Sequence, residues 1–204
     1  MKIARVAALL VSLTFFLPVS SSAASGDAKK ELKTTVDKVL EVLRDKELKK
    51  PENSQKRRKQ IRQVIQEKFN FEEMSKRALA QHWAQRSQKE KEEFISLFTD
   101  LLERSYIKKI EAYSDEKIVY SDEKSDGEYS VVKTKIITAK KIEIPIDYRL
   151  LKGDAQWSVY DVVIEGVSLI NNYRTQFNKI IRSQSFEALL KRMKNKQEEE
   201  ISLE

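Results

Sequence analysis

The sequence predicts an α+β fold, with a helical layer packed on one face of a roughly four-stranded antiparallel sheet. Three observations carry this. Helical patterns come first, a meander of strands second and helices again last, with no internal repeat and no linker long enough to divide the chain. Only four glycines and three prolines interrupt 204 residues rich in Lys, Glu, Leu and Ile. The run from Ile144 to Phe177 passes from strict alternation through a turn into a Trp-bearing strand, then through Gly166-Val167-Ser168 into an amphipathic helix. Its apolar side chains are too many for a small half-buried sheet, which points to a layer that forms a cavity.

At the start, Lys2 and Arg5 precede an apolar core from Val6 to Leu17, followed by Pro18 and a cluster of small residues. The core is too short to span a bilayer, and Ser22-Ala23-Ala24 fits the small-x-small cleavage rule. Residues 1–24 are therefore expected to be a secretory signal that is removed, leaving one domain over residues 25–196 and a frayed acidic tail over 197–204. Without cysteine the exported chain has neither disulfides nor a lipid-attachment thiol, so a periplasmic or secreted location follows for it. The signal holds two of the 39 basic residues, so 37 face 32 acidic ones and the mature net charge is +5. Export argues against nucleic acid as the partner of that charge, and the interleaved Lys and Glu read mostly as solvated helix faces. The richest basic stretch, Lys49 to Arg62, is the best candidate to meet acidic headgroups or an acidic partner.

Leu32, Val36, Val39, Leu40 and Leu43 recur at helical spacing and define a first helix. Beyond Pro51 a second presents Ile61, Val64, Ile65, Lys68 and Phe69, and a short third holds Phe71, Met74, Ala78 and Leu79. Ser87 with Glu90 three residues on is a capping box. The long helix it opens carries Phe94, Leu97, Phe98, Leu101, Leu102, Ser105, Tyr106, Ile110 and Tyr113 as one stripe. Strands over 118–121 and 129–138 are joined across Asp126-Gly127, a hairpin signal. Ile142, Ile144, Ile146, Tyr148 and Leu150 then alternate along a third strand, where Pro145, lacking an amide donor, suggests an edge or a bulge. The fourth, from Gln156 to Glu165, is apolar on both faces and so central. Ser168 is the N-cap of a helix with Leu169, Ile170, Tyr173, Phe177, Ile180 and Ile181 inward, and Ser185 caps the last.

A search for chemistry returns little. One histidine, His82, no cysteine and no G-x-S-x-G elbow leave no activated nucleophile. The carboxylates lack EF-hand spacing, and glycines at 26, 127, 153 and 166 stand too far apart for a phosphate loop. No cofactor or metal is expected. One enzyme arrangement survives, in which Asp147, Asp161 or Glu165 shuttles a proton beside Tyr148, Tyr160 or Tyr173 as in an isomerase. The competing reading places Asp147 and Glu165 on polar strand faces and Asp161 in a hydrogen bond.

The segment from Trp157 to Leu169, followed by Asn172-Tyr173-Arg174 and Gln176-Phe177, resembles the signature of the MlaC family. Phe69-Asn70-Phe71 with Met74, Leu79 and Trp83, and the stripe from Phe94 to Tyr106, are similar to that family's pattern too. The resemblance covers residues 30–193 and implies a helical layer against a strongly curved sheet, enclosing a deep apolar pocket for acyl chains. It implies a phospholipid ligand, with two docking partners: an inner-membrane ABC transporter complex with a hexameric lipid-binding ring, and an outer-membrane lipoprotein–porin complex. The protein is then a monomeric periplasmic carrier and not an enzyme, serving outer-membrane lipid asymmetry. A sibling branch is linked to hopanoids, which leaves another polar lipid as the alternative cargo. The inward faces are expected to line the pocket. They comprise Phe71, Leu79 and Trp83; Phe94, Phe98, Leu101, Leu102 and Tyr106; Ile144, Ile146 and Tyr148; and Tyr173 with Phe177.

Expressed with its signal in a Gram-negative host, the protein should be recovered from the periplasm with a mature start at about Ser25. Intact-mass measurement checks this, and retention of the first 24 residues contradicts it.

Overall fold

The computed structural model describes residues 27–113 and 116–201, with side chains to residue 195. The expected signal and the end of the expected tail lie outside these residues. Among the described residues, six α-helices and a five-stranded antiparallel sheet in the order β1-β2-β3-β4-β5 make up the architecture. Three helices precede the long one, the strands follow as a meander, and two helices close the chain, in the predicted order.

Helix α1 (Ala28–Arg44) begins at the cap Asp27, whose carboxylate accepts from the Lys30 amide. Asp27 also shares a side-chain hydrogen bond with Glu123, and burial raises the Glu123 carboxyl above its ordinary range. A turn of 3-10 helix over Pro51–Asn53 leads into α2 (Ser54–Lys68). Lys68, expected on an apolar face, is indeed buried, but as an ion. Its ammonium lies 2.7 Å from Glu31 Oε2 and donates to the Trp157 carbonyl at 2.8 Å, while Glu31 Oε2 also accepts from the Trp157 amide at 3.1 Å. One buried pair thus joins α1, α2 and the start of β4.

The arginines of the basic stretch Lys49 to Arg62 are paired within the molecule. Arg57 and Arg58 both reach Glu111, itself well buried, and Arg62 pairs with Glu103. Three of the guanidiniums proposed for an acidic partner instead lock α2 to the long helix, and Lys49, Lys56 and Lys59 are left exposed.

Helix α3 (Phe71–Leu79) is capped by Asn70 and ends at Ala80, whose φ of 47° turns the chain into a short 3-10 segment over Ala80–Gln85. Helix α4 (Gln88–Glu111) starts at the expected capping box: the Ser87 hydroxyl accepts from the Glu90 amide at 3.3 Å while Glu90 Oε2 accepts from the Ser87 amide at 2.7 Å.

Strand β1 (Lys117–Asp126) is longer than the sequence indicated, because its outer half is an edge rich in Asp, Glu, Lys and Ser and lacks the apolar alternation that marks a strand. Such charges, with the irregularity between Tyr120 and Asp122, discourage pairing with another chain. Gly127, at φ 55°, opens the two-residue turn to β2 (Tyr129–Ile137). Strand β3 (Glu143–Lys152) pairs on both sides, so the expected edge is not found. Pro145 is tolerated because it stands one residue before the β3–β4 register begins at Ile146↔Ile164, its carbonyl accepting from Glu165. The bulge lies instead between Arg149 and Leu150, where the register skips Tyr160 of β4 (Trp157–Ile164). Glu165 and Gly166, both with positive φ, then turn the chain into the two-residue β5 (Val167–Ser168). Ser168 caps α5 (Leu169–Ser183), its hydroxyl accepting from Asn171 at 3.0 Å. Helix α6 (Phe186–Ile201) follows, the Ser185 hydroxyl accepting from Ala188.

Lys68→Ala should lower stability by about 3 kcal/mol, since it strands a carboxylate and a carbonyl at a buried junction. Urea denaturation checks this, and a loss below about 0.5 kcal/mol contradicts the junction's importance.

Candidate functional site

The apolar residues form two large cores and a smaller one in which Leu43, Ile61 and Ile107 are buried. The first is helical. Phe94 and Phe98 of α4 are fully buried and stack at 5.6 Å. Phe177 of α5 meets both edge-on at 5.6 and 5.4 Å, and Tyr173 meets Phe98 at 5.2 Å. Leu79 and Leu102 are buried in the same cluster, and Phe71, Trp83, Leu101 and Tyr106 pack against it half-exposed. Ten of the thirteen expected pocket residues therefore stand together on the helices. Tyr173 donates to Ser105 at 3.5 Å, and burial, then the neighbouring Tyr173, raises the Tyr106 hydroxyl above its ordinary range.

The second core lies on the sheet. Val132, Leu150, Trp157, Val159 and Val162 are buried against Ala28 and Leu32 of α1, with Tyr120, Ile146, Tyr148, Ile164 and Leu169 packed on them. Burial pushes the Tyr148 hydroxyl up to about 12. The Tyr120 hydroxyl is also raised, mainly by burial, and has no hydrogen-bond partner among the described residues. The register sets Ile118, Ile136 and Ile144 side by side as a half-exposed row at the end of this face. Ile146 and Tyr148 thus belong to a different core from the helical ten, and Ile144 sits at that face's open end. Ile118, Tyr120, Ile136 and Ile164 were not picked out from the sequence; carrying the alternation of β3 across the ladder pairs would have found them.

The two cores meet along a seam beside β4. Phe69 packs against both, and the Asn70 amide donates 2.8 Å to the Val159 carbonyl. The bulge opposite Arg149 turns Tyr160 onto the helical core, while its neighbours Val159 and Val162 stay with the sheet. Strand β4 was expected to be apolar on both faces, and this local extra residue is how one strand serves both.

The polar groups beside the seam are held in place. Asp161, almost fully buried, accepts from the Ser168 hydroxyl at 2.7 Å and the Ile170 amide at 3.1 Å, and pairs with Arg149 at 3.1 Å. Both carboxylate oxygens are engaged in anchoring the start of α5. His82 Nε2 lies 2.9 Å from Asn178 Oδ1, tying the 3-10 segment to α5. Two openings flank α5: a groove of about 360 Å³ between Leu79–His82 and Arg174–Asn178, and a cavity of about 120 Å³ between Arg77, Arg149, Tyr160 and Arg174. Among the described residues no cluster of three or more His, Asp or Glu could hold a metal ion, and no helix is long and apolar enough to cross a membrane.

The fold and site define an α+β protein with two apolar layers joined along one strand and a polar, arginine-bearing rim. The family model described as MlaC protein matches residues 33–195, and the chain belongs to the MlaC family. It is 24% identical over 186 residues to the intermembrane phospholipid transport system binding protein MlaC of Haemophilus influenzae, covering 89% of this chain and 87% of that protein. It is also similar to the phospholipid-binding protein from Ralstonia solanacearum solved in complex with a phospholipid, with a TM-score of 0.76 and 25% identity, covering 83% of this chain and 96% of that one.

Asp161→Asn should cost about 2 kcal/mol, by weakening three hydrogen bonds and leaving Arg149 without its carboxylate. Amide hydrogen exchange at Ile170 and Asn171 should speed up in parallel; unchanged protection there contradicts the anchoring role.

Proposed function

We propose that this protein is a periplasmic phospholipid carrier that moves lipid between an inner-membrane ABC transporter complex and an outer-membrane lipoprotein–porin complex, without catalysing a reaction. The observation that carries the reading is the seam: two separate apolar cores, each ending in half-exposed side chains, joined along β4. The family to which the chain belongs and the phospholipid held by the Ralstonia relative support it.

The energetics explain why such a protein needs a seam more than a grip. Each buried methylene is worth ~0.8 kcal/mol, so two chains of ~15 methylenes forgo ~24 kcal/mol if left in water. No spontaneous passage through water occurs at that cost. Moving from a bilayer to an apolar protein interior exchanges one oily surrounding for another, and the net is near zero. The seam must therefore be dry and adaptable, and loading and unloading occur on docking, where membrane complex and carrier share a continuous apolar path. The acyl chains lie between the helical residues Phe71, Trp83, Leu101, Tyr106 and Tyr173, with the buried Leu79 behind them, and the strand residues Ile144, Ile146 and Tyr148. Phe94, Phe98, Leu102 and Phe177 form the floor behind them. Keeping phospholipid in transit between the membranes is how such a carrier contributes to outer-membrane lipid asymmetry.

Native mass spectrometry of the purified protein should show added mass at phospholipid values. Ile146→Glu, at a half-buried position, should abolish that mass while leaving the far-ultraviolet circular dichroism intact. A clean apo mass with no uptake from liposomes would overturn the reading.

A further inference from the structure

We propose that Arg77, Arg149 and Arg174 form a cradle for a phosphate-type oxyanion, and that the group it receives is the phosphodiester of the lipid lying in the seam. The source of the anion rests on the carrier reading; the cradle itself rests on the geometry. The three guanidiniums come from three elements, α3, β3 and α5, and line one cavity of about 120 Å³ with Tyr160, Ile170, Asn171 and the Asp161 carboxylate. That volume has room for a single tetrahedral group.

Each arginine is oriented yet not exhausted. Arg77 spends Nε on Glu73 at 2.7 Å and its guanidinium carbon stands over the Tyr160 ring at 4.1 Å, with the Tyr129 ring at 6.0 Å. Arg149 spends Nη1 on Asp161 at 3.1 Å. Arg174 spends Nη2 on Asn171 of its own helix and has no carboxylate partner among the described residues. The remaining guanidinium nitrogens have no hydrogen-bond partner among the described residues, and a guanidinium offers five donors in a planar fork matched to phosphate. Three cations stand against two carboxylates, Glu73 and Asp161. The Asp161 charge is further met by Ser168 and the first amides of α5, which leaves the cavity itself cationic.

Position links the cradle to the seam. Two of its walls, Ile170 and Tyr160, belong to the helical core, and Tyr160 stands between Val159 and Asp161 on β4, where the two cores join. A lipid whose chains enter between the cores beside Tyr160 brings its phosphodiester to this rim.

The arginine Nε–Hε signals in ¹H–¹⁵N NMR provide the test. Delipidated full-length mature protein is titrated with inorganic phosphate, then loaded with either phosphatidylglycerol or a diacylglycerol of the same chains, with uptake verified by native mass. Inorganic phosphate should shift the Arg77, Arg149 and Arg174 signals saturably, and Arg174→Gln should weaken that binding about tenfold. Phosphatidylglycerol should shift the same signals and abolish their response to phosphate; diacylglycerol should leave both unchanged. Non-saturable shifts, or identical spectra with the two lipids, overturn the proposal. If phosphate saturates the cradle but still binds in the phosphatidylglycerol-loaded protein, the site takes free anions and the lipid assignment falls. If neither lipid is taken up, the carrier reading fails, while the phosphate titration still decides the cradle.

Discussion

The attachment of the helical layer to β4 is the constraint on which the rest of the molecule depends. The Asn70 amide meets the Val159 carbonyl at 2.8 Å, the Lys68–Glu31 pair closes on the backbone amide and carbonyl of Trp157, and Asp161 holds the first turn of α5. Every one of these bonds falls on a strand already paired to β3. Helices α1, α2, α3 and α5 therefore take their positions from one line through the molecule, and away from that line the two layers meet through side chains.

That arrangement has an energetic consequence. Side-chain contact between apolar layers is non-directional, and separating it costs roughly 25 cal/mol per Å² of surface exposed. An acyl chain inserted between the layers covers the same surface and returns most of that cost. Backbone hydrogen bonds and the buried ion pair give no such refund, and they are concentrated at β4 where the layers do not need to part. The aromatic stack of Phe94, Phe98 and Phe177 keeps the helical layer rigid as a body, since its members are held by one another. A layer that is rigid in itself and tied along one edge can open while keeping its own core intact.

Much of this was legible before any coordinates. The alternation of β3, the Ser87 capping box, the Ser168 cap and the stripe from Phe94 to Tyr106 are local patterns, and local patterns survive in sequence because their partners lie two to four residues away. Segregation of helices from strands sufficed for the fold class. What escaped depends on distant partners. The bulge opposite Arg149 has no signature, yet it assigns Tyr160 to one core and Val162 to the other. Lys68 reads as a blemish on an apolar face until Glu31 and Trp157 are brought to it. The arginines at 57, 58 and 62 look available for an acidic partner until Glu103 and Glu111 arrive from α4, and the cradle of Arg77, Arg149 and Arg174 gathers residues spread over nearly a hundred positions. The same separation explains why the expected pocket residues fell into two groups: periodicity tells which side chains point inward, and not which of two interiors they enter.

The central claim is that acyl chains lie between the helical core and the sheet core. Its most direct test is photocrosslinking with a phospholipid carrying a diazirine partway along one acyl chain, followed by peptide mapping. The account predicts labels on both sides of the seam, on Ile146 or Tyr148 of β3 and on Leu101, Tyr106 or Tyr173 of the helices. Labels confined to the outer surface, at exposed residues such as Ile142 and Val167, would contradict it.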